Sequence, residues 1–172
     1  MENKFTFVII PTFREKNKIE ALLKCFSHVE AENLKILIVN GNPGDETIAY
    51  LERLDHARVL ELPGNPDLFW SGLVNLGLRH VLHHETNQEF VIIMNADVEF
   101  TGDILAPLIA KAKATPKAQL AAIVTSEQKV ISSGVKVVSW SLTFNRHPLS
   151  GTLLKNLWPD RFHGISVFHT NI

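Results

Sequence analysis

The sequence predicts an α/β protein: a mostly parallel sheet flanked by helices, in a single domain. Three observations carry this expectation. Short apolar runs alternate with helix-length amphipathic segments four times in a row. The runs are nearly continuous in branched residues, as in strands buried on both faces, and do not alternate apolar with polar. Three of the four runs break off into polar or glycine-rich loops, and a parallel sheet with right-handed crossovers lines such loops along one edge.

Length and composition agree. At 172 residues the chain can bury one sizeable core, and 45% hydrophobic with 20% charged residues is ordinary for a globular domain. Net charge is −1 with Lys and Arg scattered, which excludes the basic footprint of a nucleic-acid binder. The single Cys25 rules out an internal disulfide and reads as a small residue on the apolar side of a helix. Met1-Glu2-Asn3-Lys4 leads straight into a strand-like run, so no signal peptide is expected. No apolar segment approaches the ~20 residues of a membrane helix. The expectation is a reducing, cytoplasmic location, with any membrane association peripheral; nothing fixes the oligomeric state.

In chain order, Phe5 to Ile10 reads as the first strand, ended by Pro11 because proline cannot donate to a ladder. Thr12 to Glu15 is its loop. A helix from Lys16 places Ile19, Leu22, Leu23 and Phe26 on one face. Leu34 to Val39 is the second strand, closed by Asn40-Gly41-Asn42-Pro43-Gly44. Asp45 is the N-cap of a helix carrying Ile48, Leu51 and Leu54. Ala57 to Leu62 is a weaker strand before Pro63-Gly64-Asn65-Pro66. The next helix has Asp67 near its start and an expected buried stripe of Trp70, Leu73, Val74, Gly77, Leu78 and Val81; Ser71, Asn75 and Arg79 lie on another face. The fourth strand is the apolar run Phe90 to Met94. Thr101 or Asp103 caps a helix running to about Ala114, with Pro107 close enough to the first turn to be tolerated. Leu120 to Thr125 and Val130 to Val138 read as two further strands, and Ile165 to Phe168 is strand-like. From Ser139 the periodicity weakens.

The chemistry is expected at the strand ends. The fourth run stops at Asn95-Ala96-Asp97, two short polar side chains just past the carboxyl end of a strand, where open α/β sheets bind ligands. With Thr12 to Glu15 and Asn40 to Asp45 this edge offers backbone amides, carboxylates and an arginine. Such a mixture suits a phosphorylated ligand with a sugar and a base. A divalent cation held by a carboxylate such as Asp97 would neutralise the phosphates, with water and phosphate oxygens completing its shell. Each of these residues is also an ordinary turn or cap former, as Asp45 is. There is no Gly-x-Gly-x-x-Gly after the first strand, no Walker sequence and no Gly-x-Ser-x-Gly elbow. His83-His84 and the other histidines lack metal-ligand spacing with a cysteine and read as surface residues.

The order of these loops resembles the family-2 glycosyltransferases, inverting enzymes of GT-A fold that use nucleotide sugars. Val8-Ile9-Ile10-Pro11-Thr12-Phe13-Arg14-Glu15 resembles the family's opening strand and its Pro-Thr-Tyr/Phe turn against the nucleoside. Val39-Asn40-Gly41-Asn42-Pro43-Gly44-Asp45-Glu46-Thr47 is similar to Val-Asp-x-Gly-Ser-x-Asp-x-Thr, with Asn40 in place of the aspartate that would contact base or ribose. Asn65 to Gly77, with Phe69-Trp70-Ser71-Gly72 and Asn75-Leu76-Gly77, resembles the helix beside the diphosphate, most of all in the rhamnosyltransferase-type branch. Asn95-Ala96-Asp97 stands where the Asp-x-Asp motif belongs.

What the resemblance implies is a donor-binding core over 1–138 and the start of an acceptor-side region over 139–172, with the chain stopping before the family's acceptor half. Pro11, Thr12, Phe13, Glu15, Asn40, Asn42, Trp70, Asn75, Asn95 and Ala96 would bind the nucleotide-diphosphate sugar. Asp97 would hold Mn²⁺ or Mg²⁺, and a sugar would pass to an acceptor hydroxyl not identified by the sequence. Ser133-Gly134 and Trp158 to Gly164 resemble later landmarks. Inverting transfer needs a base on the acceptor side, and no residue is nominated for it; Asp160 is the available carboxylate. Two other readings stand beside this one. A binding-only donor domain would bind without turnover. A nucleotidyltransferase on a similar sheet would need a glycine-rich basic loop after the first strand, which Pro11-Thr12-Phe13 is not.

Overall fold

A computed structural model of the chain describes residues 4–30, 33–53, 58–115 and 120, with the strand segments 124–126, 129–132, 135–138, 143–146 and 167–168. The expected α/β fold is observed. Strands β1 (Phe5–Thr12), β2 (Leu34–Asn40), β3 (Val59–Pro63) and β4 (Gln88–Ile93) are parallel and ordered β3-β2-β1-β4. The short β9 (Val167–Phe168) adds antiparallel to β4. Helices α1 (Lys16–Phe26), α2 (Glu46–Leu51) and α4 (Leu105–Ala114) cover one face of the sheet, and α3 (Phe69–His84) covers the other. β1 and β4 are neighbours although β2 and β3 intervene in sequence, so the order reverses between them. The crevice at such a reversal, outside the carboxyl ends, is where this architecture binds ligands.

The core has two layers, one on each side of the sheet. Val8, Ile10, Ile36, Ile38 and Ile92 face Ile19, Leu22, Phe26, Leu51 and Leu105; Phe7, Ile9, Leu37, Val39 and Val91 face Leu73 and Val81. Alternation along a strand sends neighbouring residues to opposite layers, so both must be apolar. That is why these strands read as unbroken runs.

Several expectations are corrected. β1 continues through Pro11 to Thr12. The Thr12 carbonyl accepts from Gly41 N on the β2 side, so Pro11 faces β4, whose pairing ends at Ile9↔Ile93. A missing N–H costs nothing where the neighbouring strand has already stopped. β3 begins at Val59; the expected Ala57, like Leu54 of the preceding helix, lies outside the described residues. Asp67 belongs to a separate 3₁₀ turn (Pro66–Leu68) before α3. Trp70 is 53% exposed and is not part of the buried stripe. The single strand expected over Val130 to Val138 is two: β6 (Lys129–Ser132) pairs antiparallel with β5 (Val124–Ser126), and β7 (Val135–Val138) with β8 (Thr143–Arg146). Two residues between β5 and β6 allow only a hairpin, since a parallel crossover needs a dozen or more.

The expected Asp45 cap is observed, and of Thr101 and Asp103 it is Asp103 that accepts from the start of α4. Asp45 accepts from Thr47 N at 2.9 Å, and Asp103 accepts from Leu105 N at 3.0 Å and Ala106 N at 3.1 Å. Among the described residues no helix is long and apolar enough to cross a membrane.

Candidate functional site

Strand register builds the rim. Thr12, Asn40 and Pro63 form one row across β1, β2 and β3. β4 leaves the sheet three residues earlier, at Ile93 beside Ile9, and Met94 N donates to the Ile9 carbonyl at 3.0 Å. Past this point the chain leaves the ladder and turns, with Val98 N donating to the Asn95 carbonyl at 3.4 Å, so Asn95 and Asp97 lie on the loop after β4. Segments as distant in sequence as those ending at Thr12, Asn40 and Met94 thereby share one edge.

Beneath the rim, between the sheet and the start of α2, lies a buried polar cluster. Asn40 is fully buried and its carboxamide is committed locally: Oδ1 accepts from Asn42 N at 3.0 Å, and Nδ2 donates to Asp45 Oδ1 at 3.2 Å. The Asn40 amide also acts on the Glu61 carboxylate, lowering its pKa. Its main-chain carbonyl accepts from Gly64 N at 2.7 Å, tying the β2 and β3 ends together. Four buried oxygens here, Thr12 Oγ1, Asp45 Oδ2, Thr47 Oγ1 and Glu61 Oε1, have no hydrogen-bond partner among the described residues. The neutral Asn40 amide donates to Asp45, which an aspartate at this position could not do.

Glu61 was not singled out in the sequence, where it is one residue of a weak strand. Burial, foremost, then the charges of Asp45 and Glu52, raise its pKa above the ordinary 4.5, against the lowering effect of the Asn40 hydrogen bond. The folded state therefore binds this proton more tightly than the unfolded chain. Stability from this group is fullest below pH 4.5 and is lost as pH rises through the raised value. Glu61→Gln should raise the melting temperature at pH 7, with the difference from wild type shrinking as pH approaches 4.5; thermal melts across pH 4–8 measure it.

At the mouth, Glu15 lies at the N-terminus of α1 and its carboxylate accepts from Lys18 Nζ at 2.6 Å. The Lys18 pKa is raised, first by this hydrogen bond, then by the charge of Glu15, with Asp97 adding in the same direction. Lys18, which is not among the expected site residues, is thus held by Glu15, with Asp97 the weakest of the influences on it. Arg14 adopts a positive φ of 57° and its guanidinium lies 5.2 Å from the Phe13 ring, which is 43% exposed. A Cβ built on Gly41 would lie 3.2 Å from that ring and 3.0 Å from Leu73, so Phe13 sits close to α3. Trp70 Nε1 donates to Asn95 Oδ1 at 2.8 Å. A hollow of about 520 Å³ opens beside the rim, lined by Arg14 to Lys18, Asp45 and Glu46.

Of the expected site residues, Thr12 and Asn40 share a row and Asn42 bonds Asn40, Trp70 bonds Asn95, Glu15 lines the hollow, and Phe13 and Asp97 are exposed on the loops after β1 and β4. Pro11 and Ala96 are buried, Asn75 is exposed on α3, and no hydrogen bond ties these three to the rim. Ser133-Gly134, Trp158 to Gly164 and Asp160 lie outside the described residues. Among the described residues no three His, Cys, Asp or Glu side chains gather as a metal cage. The exposed Asp97 fits the other mode of Mg²⁺ or Mn²⁺ binding, one carboxylate with the remaining ligands from substrate phosphate and water.

A family model described as "Glycosyl transferase family 2" matches residues 7–170. No curated protein matches the sequence. Among solved structures, the chain is similar to mannosyltransferase PcManGT from Pyrobaculum calidifontis, solved with GDP-Man and Mn²⁺ (TM-score 0.58, 21% identity, covering 70% of this chain and 35% of that one). It is also similar to S. aureus TarS 1-349 (TM-score 0.51, 20% identity, 64% and 32%). A third likeness is to 4-diphosphocytidyl-2C-methyl-D-erythritol synthase from Anaerococcus prevotii (TM-score 0.55, 16% identity, 96% and 70%). At these identities the likeness is one of fold. The chain spans about a third of the length of the first two.

Proposed function

Because the chain belongs to glycosyl transferase family 2, we propose that it binds a nucleotide-diphosphate sugar at this rim and transfers the sugar to an acceptor hydroxyl with inversion. The observation that carries this reading is the sheet's carboxyl edge: Thr12 and Asn40 share a row there, Glu15 holds Lys18 at 2.6 Å on the loop side of β1, and Trp70 bonds Asn95 just past β4. Here Asp97 would serve the cation, and Lys18 and Asn95 would donate to phosphate. In this reading 1–138 is the donor-binding core, with Thr12, Glu15, Asn40 and Asn42 serving the nucleoside side and Phe13 and Trp70 giving apolar walls. A divalent cation held by Asp97 and the donor's phosphate oxygens would supply charge neutralisation on the departing diphosphate. The Lys18 ammonium and the Asn95 amide donate to the same oxygens from the protein side, where preorganised donors act most strongly.

In the transfer the acceptor oxygen bonds to the anomeric carbon as the bond to the diphosphate oxygen breaks, and the hydroxyl proton goes to a base on the acceptor side. The nucleotidyltransferase alternative shares the fold. Its phosphate-binding glycine-rich basic loop has no counterpart in Pro11 to Glu15, and the family assignment favours sugar transfer.

The test is a thermal-shift titration of the 172-residue chain with UDP, GDP, CDP and dTDP, each with and without Mn²⁺. At least one is expected to raise the melting temperature, and more so with the metal, because a ligand bound only by the folded state stabilises it. No shift with any of the four would overturn the proposal. Transfer from the corresponding nucleotide sugar then separates turnover from binding alone.

A further inference from the structure

We infer that Trp70 is a positioning residue: its indole N–H holds the Asn95 carbonyl, so that the Asn95 amide N–H₂ turns into the crevice as a fixed donor to an anionic oxygen of the donor's diphosphate. The inference rests on the reading of the site given above and adds a residue-level mechanism to it. Trp70 Nε1 lies 2.8 Å from Asn95 Oδ1 and joins elements 25 residues apart. An indole nitrogen can only donate, so the Asn95 atom that meets it must be the carbonyl oxygen, which fixes the amide's orientation. With that oxygen engaged, the exposed face of Asn95 is its pair of N–H donors, which match an acceptor such as a phosphate oxygen. Asn95 carries no charge and so does not repel the diphosphate, leaving Asp97 as the carboxylate for the cation.

The backbone around Trp70 supports a purpose for its placement. Phe69, immediately before it, has φ 49° and ψ −172°, a region that side-chain-bearing residues rarely occupy, and is 78% exposed. Backbone outliers of this kind are held where the surrounding structure has a use for them. This one lies where the 3₁₀ turn meets α3. Trp70 is there half-exposed against the β4 loop, out of the core stripe that its spacing would otherwise join. A large aromatic left exposed at a rim, with its one polar atom bonded to a site residue, orders that residue at little cost in its own conformational entropy.

A double-mutant cycle tests this. Calorimetry would measure the affinity of wild type, Trp70→Phe, Asn95→Ala and the double variant for whichever of UDP, GDP, CDP or dTDP binds most tightly, with Mn²⁺ present. Trp70→Phe keeps an aromatic ring and loses the N–H, and should raise Kd by about three- to tenfold. In the Asn95→Ala background the same change should do nothing further, since Trp70 would act only through Asn95. An unchanged Kd in Trp70→Phe, or an equal loss in both backgrounds, would overturn the inference while leaving the binding site intact. Wild type that binds none of the four nucleotides removes the site reading itself, an outcome visible before any variant is made.

Discussion

Asp97→Ala is expected to erase the metal-dependent part of nucleotide stabilisation while leaving the metal-independent part in place. A ligand at 100 times its Kd stabilises by about 2.7 kcal/mol, so the loss of the metal-assisted fraction is readable as degrees in a thermal melt. Transfer should fall further than binding, by about a hundredfold or more, because Lewis-acid neutralisation of a leaving diphosphate supplies several kcal/mol at the transition state. The reason lies in the geometry. Asp97 is exposed on the turn just past the carboxyl end of β4, and its charge reaches Lys18 as the weakest of the influences on that ammonium. The variant is expected to fold, since no core contact rests on an exposed loop carboxylate. An undiminished Mn²⁺-dependent shift in Asp97→Ala would assign the metal elsewhere.

Gly77→Val should produce the largest loss of stability. Gly77 is buried where α3 presses on the sheet, and a Cβ there would lie 2.7 Å from Ile9 Cγ2 and 3.0 Å from Val39 Cγ2. Those two residues belong to the central strands and are completely buried, so neither side chain has room to retreat. Valine must therefore push the helix off the sheet or force both strands apart, at a cost of about 3 kcal/mol for overpacking a core. For a domain of this size that corresponds to a fall in melting temperature of roughly 6–12 °C. The displacement would also shift Trp70, two turns earlier on the same helix, so nucleotide affinity should fall with stability. Gly77→Ala, which adds only the Cβ, should be milder on both counts. A Gly77→Val protein melting with wild type would mean that α3 does not pack this closely.

The alternation of runs and amphipathic helices determined the class of this fold without any coordinates, and the reason is periodicity. A strand buried on both faces must be apolar at every position, and a helix on a sheet must be apolar every third or fourth residue. Ile9 and Ile10 show the first rule, while Ile19, Leu22 and Phe26 show the second. Turn chemistry likewise marked the ends: Asp45 and Asp103 cap the helices they were expected to cap, because a short acceptor side chain there satisfies free amides that have no other local partner. That Asn95 and Asp97 lie just past a strand's carboxyl end was legible because they interrupt an apolar run.

What the tertiary structure decided is everything that depends on neighbours in space. Pro11 stays in β1 only because β4 ends early on its open side, and no local pattern contains that fact. Glu61 is titratable but anonymous in sequence; β2, β3 and the start of α2 together bury it near Asp45, and burial foremost raises its pKa. Helical spacing put Trp70 in the core, yet the unusual backbone at Phe69 and a hydrogen-bond partner 25 residues away hold it at the rim instead. Periodicity is a property of one element, so the chain spells it out locally. Register, burial and charge proximity are properties of pairs of elements, and those pairs exist only once the sheet has brought residues 12, 40, 61 and 95 to one edge.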